Sequence, residues 1–278
     1  MRMPESWFVQ SMVKTATDMC LRGWAEGAGS SISLRLLFED IDPFESSISA
    51  RVSTAIGERI PGIGGQYFLV TGAGKHFRNF QLDPEENLGL IRISPEGESY
   101  QVLWGLRSGG TPAADLSAHL WAQDVRQRVT RGASRAIAHC HATNLIALSY
   151  VLELSSPVIT RALWEGSTEC MEFFPQGVGV LPWMLPGAGA IGAATAVAMK
   201  KHALVLWPHH GVLAAGATLD EAFGKIASAE KAAAVLVKVI AMGGPRQSLS
   251  TAQLRELAAH FPVTPMESAM QVEDWWKP

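Results

Sequence analysis

Two histidines separated by one residue stand at the end of an apolar run, in His139-Cys140-His141, and a third candidate lies far along the chain, at His210. Alternate side chains of a strand share a face, so His139 and His141 are expected to project in the same direction. Three neutral imidazoles with one open position are typical of a catalytic zinc site. The spacing therefore predicts a zinc centre on these three histidines. The alternative is that two half-buried histidines close a strand and that His210 caps a turn.

A zinc ion of this kind polarises a carbonyl oxygen, but proton transfer needs a separate acid or base. Asp115, at the start of a predicted helix, and Glu169 are the two candidates. The alternative for Asp115 is an acid that stabilises the first turn of its helix, and for Glu169 a solvated surface side chain. His119 and His209 are not expected to be ligands. One lies a helical turn after the acid, and the other points away from His210 if its segment is extended.

The composition restricts the class of partner. The chain has 278 residues, 47% of them hydrophobic, which predicts one large domain over residues 1–278. The formal charge of −3 and the lack of a Lys/Arg cluster argue against nucleic acid or an anionic membrane surface. Small molecules or protein subunits remain as partners. Lys75, in Gly72-Ala73-Gly74-Lys75, could contact a small anion, although the segment lacks the spacing of a full phosphate loop.

The cysteines and the hydropathy pattern predict a cytoplasmic protein. The three cysteines are scattered and odd in number, which argues against a disulfide framework and favours a reducing compartment. Glu5 and Gln10 interrupt the segment in which a signal peptide would need an apolar core. The most apolar long stretch, residues 187–207, contains two lysines and a histidine, so no transmembrane span is expected.

Helical and extended patterns alternate along the chain without a repeat. Apolar residues at helical spacing predict helices over residues 6–23, 112–129, 142–154, 189–202, 219–241 and 251–260. Strands are expected over residues 31–36 and 67–71, a hairpin over 88–94 and 99–106, and a loop over 40–65. This order predicts an α/β fold, with a central, largely antiparallel sheet and helices on both faces.

Five segments together resemble the bacterial rhamnulose-1-phosphate aldolases, which are zinc-dependent class II aldolases related to fuculose-phosphate aldolase. These segments are Ser6-Trp7-Phe8-Val9-Gln10, residues 77–84, residues 139–148, residues 163–170 and residues 205–212. The resemblance extends from about Ser6 to near Ser268, and the combined motifs are highly specific.

The resemblance implies the class II aldolase fold and a C4 homotetramer with active sites at the subunit interfaces. It places zinc on His139, His141 and His210. It implies that the acid at position 115 moves the proton on the donor carbon and that Glu169 serves the aldehyde oxygen from the neighbouring subunit. The implied reaction is the reversible cleavage of L-rhamnulose 1-phosphate, a small carbonyl substrate, to dihydroxyacetone phosphate and L-lactaldehyde.

The departures from the family pattern are concentrated at the phosphate-holding positions and at the acid–base residue. The family has Asn-Gly-Gly-Asn in place of Ala28-Gly29-Ser30-Ser31, Gly-Ser-Gly-Lys in place of Gly72-Ala73-Gly74-Lys75, and hydroxyl residues before a glutamate in place of Ala113-Ala114-Asp115. By resemblance, the remaining substrate-binding residues are Gly29, Ser31, Gly72, Gly74 and Lys75. A hydrogen bond to a charged group contributes about 1.5–3 kcal/mol, so losing two would weaken phosphate binding by about a hundredfold or more.

Three hypotheses therefore stay open. The chain is a rhamnulose-phosphate aldolase that holds phosphate through backbone N–H groups near Gly29 and Gly72 to Lys75. Alternatively, nature or engineering has reshaped the pocket for a donor without phosphate, such as a hydroxyketone or an oxo-acid. In the third, the chain is a catalytically silent homologue that keeps zinc for stability. The intact Glu169 argues against the third, and family membership favours the first.

Overall fold

The computed structural model describes residues 2–187 and 189–276. The helices of this part of the chain are α1 (Trp7–Leu21), α2 (Phe38–Ile41), α3 (Pro84–Asn87), α4 (Leu116–Val129), α5 (Thr143–Leu148), α6 (Ser156–Gly166), α7 (Cys170–Phe173), α8 (Gly189–Met199), α9 (Leu219–Ala241), α10 (Thr251–His260) and α11 (Glu267–Met270). The strands are β1 (Ser31–Leu36), β2 (Thr54–Ala55), β3 (Tyr67–Thr71), β4 (Leu88–Ile93), β5 (Ser99–Gly105), β6 (Ala136–Cys140), β7 (Val178–Val180), β8 (Leu204–Trp207) and β9 (Gly211–Gly216).

The chain divides into two compact units that alternate along the sequence. The first comprises Met1–Cys140, Leu185–Val197 and Ala215–Ala222. The second comprises His141–Met184, Ala198–Ala214 and Phe223–Pro278. The assignment of residues 1–278 to a single domain stays a prediction.

In the first unit, six strands form antiparallel pairs in the order β2-β5-β4-β3-β1-β6. The hairpin of β4 and β5 confirms the prediction for that segment. Strand β1 lies between β3 and β6, and all six of its residues are buried, so it is covered on both faces. Its register with β6 sets Ser31 opposite His139 and Ser33 opposite Ile137.

Helix α4 contributes to the core of this unit, and its beginning differs from the prediction. A cluster of buried residues that includes Phe68, Val70 and Ile91 also takes in Leu120 of the helix. The predicted start at residue 112 is wrong, because Pro112 forms a β-bridge with Gly72 and the Ala113 N–H donates to the Thr71 carbonyl at 2.9 Å. The segment thus stays extended beside β3, and the helix begins only after Asp115.

In the second unit, β8 pairs with β7 in parallel and with β9 in antiparallel orientation. Helix α6, which the apolar pattern did not predict, begins after the N-cap Ser155, whose side chain accepts from the Val158 N–H. Its buried face includes Arg161, which forms an ion pair with Glu165, and both side chains are only 4% exposed. These elements confirm the predicted α/β class with a largely antiparallel sheet.

Two further expectations from the sequence concern disulfide bonds and membrane-spanning helices. Cys20, Cys140 and Cys170 are free thiols. Within residues 2–187 and 189–276, every helix is too short or too polar to cross a bilayer.

Candidate metal centre

Three histidines meet where β6 ends and where β9 begins. His139 is the penultimate residue of β6, His141 is the first residue after it, and His210 directly precedes β9. One ligand nitrogen from each ring lies within 4.8 Å of those of the other two. The rings of His141 and His210 are 5.3 Å apart, and the Trp207 ring is also 5.3 Å from that of His210. Imidazole nitrogens bind zinc at about 2.0–2.1 Å, so three nitrogens gathered on this scale fit one transition-metal ion.

A carboxylate from a distant helix caps the helix that follows His141. Helix α5 begins two residues after His141, and its N-cap, Ala142, has no side chain that can accept a hydrogen bond. Glu230 of α9 replaces it: Oε1 accepts from the N–H of Asn144 at 2.9 Å and Oε2 from that of Leu145 at 2.9 Å. The first N–H groups of a helix lack intrahelical partners, and a negative charge is stabilised there. Sequence reasoning missed Glu230, although a lone acid on the buried, alanine-rich face of α9 was a visible signal.

Asp115 lies beside the first of the histidines. Its Oδ2 is 3.1 Å from Nδ1 of His139 and accepts a hydrogen bond from the Ser31 hydroxyl at 2.5 Å. Nε2 of His119 is 3.7 Å from the same oxygen. Burial alone would raise the pKa of the Asp115 carboxyl, but the imidazoles of His119 and His139 hold that pKa well below its ordinary value. The group is therefore a carboxylate that can accept a proton.

The contact between Asp115 and His139 also orients the metal ligand. A carboxylate accepts hydrogen bonds, so Nδ1 of His139 carries the hydrogen and Nε2 is left as the ligand atom. Metal-binding histidines very commonly donate their second ring N–H to a carboxylate in this way.

The two histidines that were not expected to be ligands have other neighbours. His119 is buried, with Nδ1 at 2.9 Å from the Ser33 hydroxyl and Nε2 at 2.8 Å from that of Ser31. His209 has a left-handed backbone, φ +61°. Its Nδ1 is 3.3 Å from the Ser149 hydroxyl, and its ring packs on that of Tyr150 at 4.3 Å.

Glu169 is exposed in the single chain. It precedes α7, and its Oε2 accepts a hydrogen bond from the Ser167 hydroxyl at 2.5 Å. That hydrogen bond lowers the pKa of Glu169 below its ordinary value. None of its described contacts is to a histidine, so the structure of one chain does not bring this acid to the other candidates.

The predicted substrate-binding segment 72–75 forms a tight turn in which three backbone N–H groups and the lysine ammonium already have partners. The N–H groups of Gly72, Ala73 and Lys75 donate to carbonyl oxygens at 2.9, 2.8 and 3.4 Å. Nζ of Lys75 is 2.6 Å from a carboxylate oxygen of Glu86. Gly74 has φ +68°, a conformation that favours glycine. Two other predicted residues differ in exposure, since Gly29 is exposed and Ser31 is buried.

Comparison with known proteins gives one family. The model of the class II aldolase and adducin N-terminal domain matches residues 10–237. A rhamnulose-1-phosphate aldolase of Pectobacterium atrosepticum is 52% identical over 268 residues, which are 96% of this chain and 98% of that protein. One of Yersinia pestis is 50% identical over 266 residues, which are 95% of this chain and 97% of that protein. Among solved structures, a sugar-phosphate aldolase from Thermotoga maritima superposes with a TM-score of 0.74 at 26% identity, covering 85% of this chain and 96% of that one.

Proposed function

Because this chain belongs to the class II aldolase family, within its rhamnulose-1-phosphate aldolases, we propose that it reversibly cleaves L-rhamnulose 1-phosphate to dihydroxyacetone phosphate and L-lactaldehyde. The observation that carries the proposal is the group of three imidazoles in a chain half identical to those enzymes. His139, His141 and His210 would hold Zn²⁺, the ion that we propose for this ligand set. Bound there, the ion would act as a Lewis acid toward the donor carbonyl.

Asp115 is proposed to move the proton on the donor carbon. The described contacts of its carboxylate with Ser31, His119 and His139 all use Oδ2. We therefore assign proton transfer to Oδ1, and Oδ2 stays held. The pKa of Asp115 lies well below its ordinary value, so the carboxyl group is ionised at neutral pH and Oδ1 is able to accept a proton.

Glu169 is proposed to exchange a proton with the aldehyde oxygen in the active site of a neighbouring subunit. Its exposure in the single chain supports a role of this kind, because a side chain that faces outward can reach another copy. The proposal therefore includes a homotetramer with active sites at subunit interfaces. We also propose a cytoplasmic location, which the three free thiols support.

A donor without phosphate is the second candidate, and the turn around Lys75 favours it. The ammonium group is paired with Glu86, and three N–H groups of the turn already donate to carbonyls. Among the predicted phosphate contacts, Gly29 and Gly74 have no side chain to offer. A substrate panel distinguishes the two candidates: dihydroxyacetone phosphate, dihydroxyacetone and pyruvate, each combined with one common aldehyde. Restoring Asn at Ala28 and Ser at Ala73 should then improve the KM of the phosphate ester alone, by about tenfold or more.

The decisive experiment for the proposed function is His141→Ala, with His260→Ala as the matched control. Removing one of three protein ligands should abolish both zinc retention and cleavage of L-rhamnulose 1-phosphate. His260 is an exposed histidine at the end of α10, and its replacement should change neither. Full zinc occupancy with an unchanged rate in His141→Ala would refute the assignment. The catalytically silent homologue would be indicated if the wild-type protein binds zinc but shows no turnover, and if adding a chelator therefore makes no difference to the rate.

A further inference from the structure

Ser31 faces the acid–base carboxylate because of the sheet register. In the β1–β6 pair, Ser31 is directly opposite His139, and directly opposite residues have side chains on the same face. Ser33, two residues along β1, shares that face. The beginning of α4 covers it with Asp115 and with His119, one helical turn later. Five polar side chains thus meet in a small buried volume.

The hydrogen bonds among these side chains have one direction. Nε2 of Gln123 faces the carbonyl oxygens of Ser33 and Arg135 at 3.3 and 3.0 Å, so this atom is the amide donor. It is also 3.1 Å from the Ser33 hydroxyl. The direction is set at the other end, because an ionised carboxylate only accepts: the Ser31 hydroxyl gives its one hydrogen to Asp115 at 2.5 Å, so its oxygen accepts from Nε2–H of His119 at 2.8 Å. In the neutral ring, Nδ1 of His119 then accepts from the Ser33 hydroxyl at 2.9 Å.

The direction of these hydrogen bonds determines whether the Ser31 hydroxyl can donate to a substrate. A hydroxyl has one hydrogen, and in Ser31 that hydrogen is used by Oδ2 of Asp115. Ser31 is also only 2% exposed. A substrate oxyanion would need the same hydrogen, and could obtain it only by breaking the bond to the carboxylate.

We infer that Ser31 is a positioning residue for Asp115 and that it does not contact the substrate. This inference rests on the proposed function, in which Asp115 moves the proton. Ser31 from β1 and His139 from β6 hold Oδ2 from two strands, which fixes the rotation of the carboxyl group. The orientation of Oδ1 toward the reacting carbon follows from that restraint. His119 supports Ser31, because its Nε2–H keeps the serine hydrogen directed at the carboxylate.

The first test is Ser31→Ala in the zinc-loaded enzyme, with Ser134→Ala as the matched control. Ser134 is an equally buried serine whose hydroxyl donates to the Gly216 carbonyl, outside this chain of hydrogen bonds. Loss of the restraint should lower kcat by about ten- to hundredfold, since small misplacements of a catalytic group are costly. The KM of the donor should stay within about twofold, and zinc content should be unchanged. Ser134→Ala should keep both kinetic constants.

The second test needs no turnover. The melting temperature of the zinc-loaded protein is measured for Ser31→Ala, Asp115→Asn and the double variant. If the two side chains stabilise each other, the double variant should lose clearly less than the sum of the two single losses. Additive losses would overturn the inference, and so would a Ser31→Ala enzyme with raised KM and unchanged kcat. If the wild-type protein does not cleave L-rhamnulose 1-phosphate, the proposed function fails. The comparison of melting temperatures between the single and double variants still decides whether Ser31 holds Asp115.

Discussion

The ion pair between Lys75 and Glu86 gives a sharp prediction about phosphate. Nζ of Lys75 is 2.6 Å from Oε1 of Glu86, and the two side chains are 22% and 30% exposed. An incoming phosphate would compete with the carboxylate for the same ammonium group and would be repelled by its charge. Glu86→Gln removes both effects. It keeps the backbone N–H that Asp83 accepts at the start of α3, so the helix should form as before.

The size of the effect follows from the burial of the pair. A partly exposed ion pair contributes about 1 kcal/mol at most, whereas a hydrogen bond to a charged group contributes about 1.5–3 kcal/mol. In Glu86→Gln the phosphate no longer has to displace a carboxylate from Lys75, so its complex should be more stable by up to about 1 kcal/mol, which is about fivefold in KM. The kcat should change little, because the substitution removes only a competitor for binding.

The assay compares dihydroxyacetone phosphate with dihydroxyacetone as donors in the synthetic direction. Glu85→Gln is the matched control, since Glu85 is the neighbouring acid and lies 3.9 Å from Arg107 instead of near the lysine. We expect a lower KM for the phosphate ester only, and only in Glu86→Gln. An equal change for both donors, or a raised KM for the phosphate ester, would refute the idea that Glu86 competes with phosphate.

Three further predictions concern catalysis and stability. If Glu169 moves a proton as proposed, Glu169→Gln should keep the bound metal while kcat falls by about 10²–10⁴-fold, and a fall of less than about threefold would make Glu169 a surface side chain. Burial raises the pKa of the Cys170 thiol, so the folded state binds a proton that the unfolded state releases above about pH 8.5. The urea midpoint should therefore decrease as the pH rises above 8.5, and less so in Cys170→Ala, whereas Cys20→Ala should follow the wild type. Glu165→Gln leaves Arg161 buried without its carboxylate and should lower the free energy of unfolding by about 3 kcal/mol or more, measured by urea unfolding.

The elements that the sequence predicted well are those with strong local signals. Strand β3 and helices α9 and α10 have the predicted bounds, and α10 begins with a capping box between Ser250 and Gln253. Helix α6 was missed although its apolar residues lie on one face and although it has an N-cap serine and a proline in its first turn. What the sequence pattern could not show is that Thr160 and Arg161 are buried in it as well. The charge of Arg161 is balanced by Glu165 one turn later, and a pattern of hydrophobic spacing does not reveal such an ion pair.

The candidate site was only partly predictable. The type and spacing of the histidines were enough to suggest a metal centre, and the structure brings His139, His141 and His210 together. The hydrogen-bond partners of Asp115 could not be predicted from the sequence, because they depend on the strand register that sets Ser31 opposite His139. A shift of one residue would turn Ser31 to the other face of the sheet. The contacts of Ser31, and not its place in the sequence, therefore distinguish a substrate contact from a support for the acid.

The carboxylate of Glu230 has a consequence for the order of events during synthesis. The ribosome releases both His141 and His210 before it releases Glu230, so an emerging chain can display all three histidines while α5 still lacks its carboxylate cap. Chains emerge from the N-terminal end, and elements that need later partners must wait for them. Stable capture of the metal should thus wait until Glu230 has been synthesised and can cap α5. A protein cut short between the last histidine and Glu230 would carry every ligand and still hold the ion poorly.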